Sequence, residues 1–326
     1  MKAHAHLTAI WALLLGSATV YSQVELTDNV AISGFVDAAY ISTDDGTTKS
    51  ETLDLQGAEV DFLFNLDTVS GEVHLQTDGT TLELEQAFVT YDLGNGLTVT
   101  AGRYLSLLGF ESDESVTRYT NSRAYDLTSL IPLYNDGVKL ETVTDQGWIA
   151  ISILDEVWTG SGSGTLDNGN IGVEVQAGFT GQQGFTAVIG YGGQDRADNV
   201  PAIASGEIYN IWVSYETGAL ILAAEYNDFA NSHNPSTGDY HTGDSIMVLA
   251  RYAINEKSSI TGRYTEEQVD PTATTGAQEA KKWSVAPHYS FTDNLAGRIE
   301  YSRTDYTGVT GKDEVDFFAI EAMFTF

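Results

Sequence analysis

The chain of 326 residues has no cysteine, only 15 lysines and arginines, only 5 prolines, and no apolar run that would cross a bilayer as a helix of roughly 20 residues. Each scarcity excludes something. Without thiols there are no disulfides, no thiolate metal sites and no lipid-anchored N-terminal cysteine. Fifteen bases against 46 acids, a formal charge of −31, leave no basic footprint for a phosphate backbone, so nucleic acid is excluded as a partner. A helical membrane protein is excluded by hydropathy. What is present is 32 glycines, 17 tyrosines and 42% hydrophobic residues. That is too apolar for disorder and suits many strands joined by tight turns.

Residues 1–22 read as a secretory signal peptide: Lys2, an apolar run over 7–15, then small residues up to Ser22. The expected organisation is therefore a signal peptide at 1–22 and a single β-barrel unit at 23–326. Export of a cysteine-free chain fits a bacterial envelope protein.

Past residue 22 the recurring pattern is alternation with a period of two, which makes a strand with two unlike faces. At the C-terminus Phe318, Ile320, Ala322, Phe324 and Phe326 share one face, and Phe317, Ala319, Glu321 and Met323 the other. Tyr209, Ile211, Val213 and Tyr215 likewise oppose Asn210 and Ser214. Sixteen such segments can be marked, near 29–42, 51–66, 70–77, 82–93, 96–103, 131–143, 147–157, 169–180, 184–192, 206–217, 219–229, 244–254, 258–266, 280–291, 295–304 and 315–326. Short connections such as 93–96 (LGNG) alternate with long polar ones, of which 104–130 is the longest. One end of the meander is tight and the other loop-rich, as in outer-membrane barrels. Backbone groups in lipid need partners, so a strand protein that spans must close on itself. The expected fold is an all-β, antiparallel up-and-down transmembrane β-barrel of about sixteen strands. The alternative fold is a secreted β-sandwich or solenoid, against which stands the lack of any linker or internal repeat.

Tyrosines and tryptophans concentrate at strand ends on the apolar face (Tyr40, Tyr91, Trp148, Tyr191, Trp212, Tyr215, Tyr226, Tyr252, Tyr264, Trp283, Tyr289 and Tyr301). They are expected to form interfacial girdles. Trp148 and Trp212 do not keep this parity cleanly, and a register slip of one residue would flip their faces.

Three features resemble Gram-negative outer-membrane porins: the signal peptide, the sixteen-segment meander and the terminal strand FFAIEAMFTF ending in Phe326. Within that group, residues 97–141 resemble the OmpL-like β-barrel porin family through Gly102-Arg103-Tyr104, Leu108-Gly109-Phe110-Glu111, Ser122-Arg123-Ala124-Tyr125 and Gly137-Val138. The stretch departs from that pattern where Leu107 replaces a proline and where Ala124 separates Arg123 from Tyr125. The resemblance implies a homotrimer, recognition of Phe326 by the barrel insertion machinery, and an inward-folded third long loop. Counted along the loop-rich end, 104–130 is the third.

A barrel of this size is too wide for wall side chains to fill, so an aqueous channel is expected, with selectivity set where it narrows. The candidate constriction is the loop 104–130, carrying Glu111, Asp113, Glu114, Arg118, Arg123 and Asp126. The candidate pore wall is Arg103, Lys139, Arg251, Arg263, Arg298 and Glu300. Loop acids facing wall guanidinium groups would set up a transverse field. Alternatively Arg118 and Arg123 pair with loop acids and brace the loop. Further inward acids are expected at Asp37, Glu59, Asp61, Glu72, Glu141, Glu174, Glu225 and Glu321, with acidic outer loops at Asp195, Asp198, Glu266 and Glu267 among others. The expected function is a weakly cation-selective channel for passive diffusion of small hydrophilic solutes and ions, in contact with outer-membrane lipid. The competing functions are a substrate-specific channel for sugars or oligoanions, and a hydrolase or adhesin on the same scaffold. No catalytic residues stand out and no cofactor or metal is implied. His233 and His241 lie near Asp228, Asp239 and Asp244 at a spacing that matches no firm ligand motif, and the Gly-Ser run 160–164 lacks a nucleotide-binding context.

Overall fold

The computed structural model describes residues 23–128, 130–158, 171–194, 205–233, 240–272 and 275–326. Residues 1–22, where a signal peptide is expected, the Gly-Ser run 160–164, Asp195, Asp198, Asp239 and the His233 side chain lie outside the described residues.

Among the described residues, seventeen strands form one sheet. In chain order they are β1 (Val24–Thr27), β2 (Val30–Asp44), β3 (Lys49–Leu66), β4 (Val69–Thr77), β5 (Leu82–Gly94), β6 (Leu97–Leu105), β7 (Tyr134–Thr144), β8 (Gly147–Leu154) and β9 (Gly172–Thr180), then β10 (Phe185–Gln194), β11 (Gly206–Thr217), β12 (Leu220–His233), β13 (Tyr240–Ala253), β14 (Ser258–Val269), β15 (Gln278–Ser290), β16 (Leu295–Thr307) and β17 (Glu314–Thr325). Every neighbouring pair from β2 to β17 is antiparallel. β17 pairs back onto β2 from Asp316↔Asp44 to Thr325↔Phe35, which closes a sixteen-stranded barrel without a free edge. The sixteen segments expected from alternation each correspond to one of these strands.

β1 was not anticipated. Its four residues, VELT, are too few to show a period. It folds back on β2 (Val24↔Ile32, Thr27↔Val30) in line with the end of β17. Gly34 and Phe326 exchange backbone hydrogen bonds of 3.0 Å each, so the final residue sits immediately above β1 in the same row. At the loop-rich end the strands run further than expected: β14 reaches Val269 and β12 reaches His233. The alternation fades there because a strand rising out of hydrocarbon meets water on both faces. The tight end is built from left-handed residues, as in the 93–96 connection, where Asn95 has φ 57° between Gly94 at 88° and Gly96 at 77°.

The two faces separate as the alternation requires. Ile151, Ile153, Ile189, Ile211, Val248, Ile299 and Ile320 are exposed on the outer wall, with Tyr91, Tyr252 and Tyr289 toward the tight end and Tyr209 and Trp283 toward the other. On the inner wall Asp37, Glu59, Asp61, Glu141, Glu174, Glu225, Glu300 and Glu321 are buried. Trp148 and Trp212 are corrections to the girdle: at 6% and 5% exposed they point inward. Trp148 donates to Gln176 Oε1 at 2.7 Å, and Trp212 packs edge-on against Phe110 with ring centroids 5.4 Å apart.

Candidate functional site: a loop stitched across the bore

Residues 106–128 and 130–133 lie inside the barrel, and hydrogen bonds tie them to side chains on β2, β7, β9, β11, β12 and β14–β17. Its root starts on the apolar side. Leu108 and Leu130 pack with Tyr104, Leu154, Val157, Trp158, Ile208 and Phe229 in a buried cluster, and Trp158 Nε1 donates to Leu130 O at 3.0 Å. This lumen wall is apolar because it faces another part of the protein instead of water.

Beyond the root the loop is held by carboxylates, which accept what the loop backbone would otherwise leave unpaired. Glu174 on β9 accepts from Ser106 Oγ at 2.6 Å and Leu107 N at 2.9 Å. Glu225 on β12 accepts from Phe110 N at 2.8 Å and Tyr125 OH at 2.9 Å. Glu300 on β16 accepts from Asn121 N, Ser122 N and Ser122 Oγ at 2.5, 2.9 and 2.6 Å. Glu267 on β14 accepts from the backbone of Asp126, Leu127 and Thr128 at 2.9, 2.7 and 2.9 Å and from Thr128 Oγ1 at 2.5 Å. Glu267 is thus a wall residue, not an outer-loop acid; the sequence pattern places it outside because β14 is longer than its visible alternation.

The wall cations work in the same way. Arg263 bonds Glu111, Thr120 Oγ1 at 2.7 Å and the carbonyls of Ser122 and Arg123 at 2.9 Å each. Lys282 on β15 holds Asp126 at 2.5 Å and Arg123 O at 2.7 Å. Arg298 grips Glu321 with Nε at 2.6 Å and Nη2 at 2.8 Å, and reaches the carbonyls of Arg118 and of Ser115, the latter at 3.0 Å. Ser115 Oγ donates to Asp37 on β2 at 2.5 Å. Arg263 and Arg298 are therefore fastenings of the loop. Arg118 also braces it, donating to the carbonyls of Asp113 at 2.5 Å and Asn121 at 3.1 Å. Arg123 pairs with Asp113 at 2.5 Å but keeps 53% of its side chain exposed. Arg251 lies 5.5 Å from the Tyr119 ring, and Lys139 lies 3.7 Å from Glu141.

Arg103 is a correction to the pore wall. It pairs with Ala87 and Asp136 in a register that continues Val89 and Val138, the exposed outer face. Its Nε donates to Glu85 O at 3.0 Å. The sequence places it at the root of the loop, but the parity of β6 turns it outward.

The bases of β14–β16 are engaged by loop carbonyls and by Glu111, Asp126 and Glu321, and an acidic cluster lies on β3–β5. There Glu59, Asp61, Glu72 and Glu85 surround His74, and the loop adds Asp113 and Glu114. Burial, followed by repulsion from Glu59, Glu85, Asp113 and Asp61, holds the Glu114 carboxyl well above the ordinary glutamate range. A raised folded-state value means the folded loop keeps a proton the unfolded chain releases, so this contribution to stability falls as pH rises above the ordinary range. Glu114→Gln, an isostere of the neutral acid, is expected to flatten the alkaline fall in stability and leave ion selectivity unchanged. The heat-induced shift in gel mobility, followed against pH, checks the first effect, and reversal potentials check the second.

The family model described as "Putative beta-barrel porin-2, OmpL-like" matches residues 29–326. Nothing among curated protein sequences matches the chain. Among solved structures it is similar to Salmonella typhi OmpF in complex with daunomycin, with a TM-score of 0.72, 15% identity, and 94% of this chain and 100% of that one covered. The outer-membrane channel DcaP of Acinetobacter baumannii gives a TM-score of 0.68 at 15% identity over 91% of this chain and 97% of that one. An anion-selective porin from Comamonas acidovorans gives 0.66 at 11% identity over 91% and 99%. At these identities the likeness is one of fold.

Proposed function

We propose, from the premise that this chain belongs to the OmpL-like β-barrel porin family, that it forms a water-filled outer-membrane channel for passive diffusion of small hydrophilic solutes and ions, with a weak preference for cations. The observation that carries the reading is the closed wall with an aliphatic exterior and an ionisable interior, and the loop hydrogen-bonded to that interior supports a narrowing of the path. The cation preference is supported by the cluster of Glu59, Asp61 and Glu85 on β3–β5 and by the engagement of Arg263, Lys282 and Arg298 in holding the loop. Fixed charge in a narrow passage with low-dielectric walls concentrates counter-ions. One related structure carries an anion-selective label, so the sign of the preference belongs to the lining and not to the fold. Export by cleavage near residue 22, insertion signalled by Phe326 and assembly as a trimer complete the proposal. For the last, a trimer form of Vibrio cholerae OmpT at a TM-score of 0.64 and 15% identity is the supporting likeness.

Purified protein in planar bilayers under a salt gradient is expected to give a reversal potential of cation sign that shrinks as salt rises, because the screening length at physiological ionic strength is about 8 Å. A clear anion sign at low salt rejects the preference. Liposome swelling is expected to show a smooth size cutoff across sugars. A sharp chemical preference would instead indicate a substrate-specific channel, and no swelling at all would reject the channel.

A further inference from the structure

The inner wall at β3–β5 holds a group of side chains that fastening the loop does not use. Glu59 and Glu85 are 3% and 6% exposed, and each has an Oε2 with no hydrogen-bond partner. Potential ligand atoms of Glu59, His74 and Glu85 all lie within 4.8 Å of one another. The juxtaposition is produced by a β-bulge. Opposite His74 and Leu75, β5 carries one extra residue between Gln86 and Leu84, and that residue is Glu85. Bulges re-aim side chains in this way. Without it, Glu85 would follow the parity that puts Gln86 inside and face lipid.

The orientation of His74 is the second observation. Its Nε2 lies 2.9 Å from Glu72 Oε2. Its Nδ1 lies 3.3 Å from the Gln86 amide nitrogen, which can only donate. Nδ1 also lies 3.2 Å from Glu59 Oε1 and 3.2 Å from Asp61 Oδ1, which gathers the imidazole and the carboxylates at one point. Buried carboxylate oxygens crowded beside an imidazole and left without donors make an anionic pocket that a bound cation would stabilise. An imidazole whose far nitrogen is held by a carboxylate is also the arrangement that orients metal-ligating histidines.

We infer that Glu59, His74 and Glu85 form a binding site for one divalent transition-metal ion of the Zn2+ class, with Glu72 orienting His74. An imidazole with carboxylates suits Zn2+ better than Ca2+ or Mg2+, which favour all-oxygen shells. Two carboxylates and a neutral imidazole would balance the ion's charge. Bonds of about 2.0–2.2 Å put ligand atoms roughly 3–4 Å apart, so the longest separation needs to close by about 1 Å. The inference does not depend on whether the bore conducts.

The test uses the full-length, detergent-folded barrel after EDTA treatment. Isothermal titration with Zn2+ is expected to show one strong site per chain. Glu59→Gln with Glu85→Gln should weaken it at least a hundredfold, His74→Asn at least tenfold, and Ca2+ should bind the wild type at least a hundredfold more weakly. Unchanged Zn2+ binding in the double variant, or Ca2+ binding as tight as Zn2+, overturns the site. If the variants do not fold, X-ray absorption of the Zn2+-loaded wild type decides: one imidazole nitrogen with carboxylate oxygens supports the site, and an all-oxygen or multi-histidine shell overturns it.

Discussion

Replacing Glu267 and Glu300 together by alanine is expected to raise single-channel conductance about twofold or more and to make the open current noisy. Between them these side chains accept seven hydrogen bonds from residues 121–128, five of them from backbone N–H groups. Bonds to a charged acceptor contribute about 1.5–3 kcal/mol each, so the loss exceeds what a mobile segment of this length can absorb. Arg263 and Lys282 would still hold Glu111 and Asp126, and Leu108 and Leu130 would keep the root in place. The middle of the loop should then swing as a flap while the barrel stays closed. The corresponding double glutamine variant retains an acceptor oxygen at each position and should fall between alanine and wild type. Conductance unaltered in the alanine variant would mean that the loop does not narrow the path. Unaltered stability would mean that these bonds do not hold it.

The second large effect concerns the outer wall. Ile211 is 48% exposed at the middle of β11, between Ile189 and Tyr226 on its neighbours. Ile211→Arg would set a guanidinium in hydrocarbon and is expected to cost about 2–4 kcal/mol of folding free energy in a bilayer. Ser214→Arg, three residues on and facing inward, should cost far less. Denaturant titrations into lipid vesicles distinguish the two, and equal costs would mean that the parity assigned to β11 is wrong.

That parity was legible because lipid and water impose opposite chemistry on alternate residues, and sixteen segments carry it. The loop was legible by its length alone. Its fastenings were not. Glu174, Glu225 and Glu300 read as pore-lining acids because a sequence shows no backbone N–H for them to accept from. The one available signal was their excess over inward bases, since buried carboxylates without cations require other donors. Glu267 was missed because β14 outruns its alternation. Trp148 and Trp212 were misplaced because the general assumption of a polar lumen fails where Phe110 and Leu108 cover it. Arg103 was misplaced because its closeness to the loop in sequence says nothing about which way β6 turns it. The grouping of Glu59, His74 and Glu85 was hidden by a single unpaired residue, which a strict period of two cannot express.

The pairing of β17 with β2 joins residues almost three hundred positions apart. Until the last dozen residues arrive, the growing sheet has two raw borders of unsatisfied amide groups and no inside. A prematurely terminated chain would lack the seam entirely. Its open borders could pair only with other copies of itself, which is how unclosed sheets aggregate.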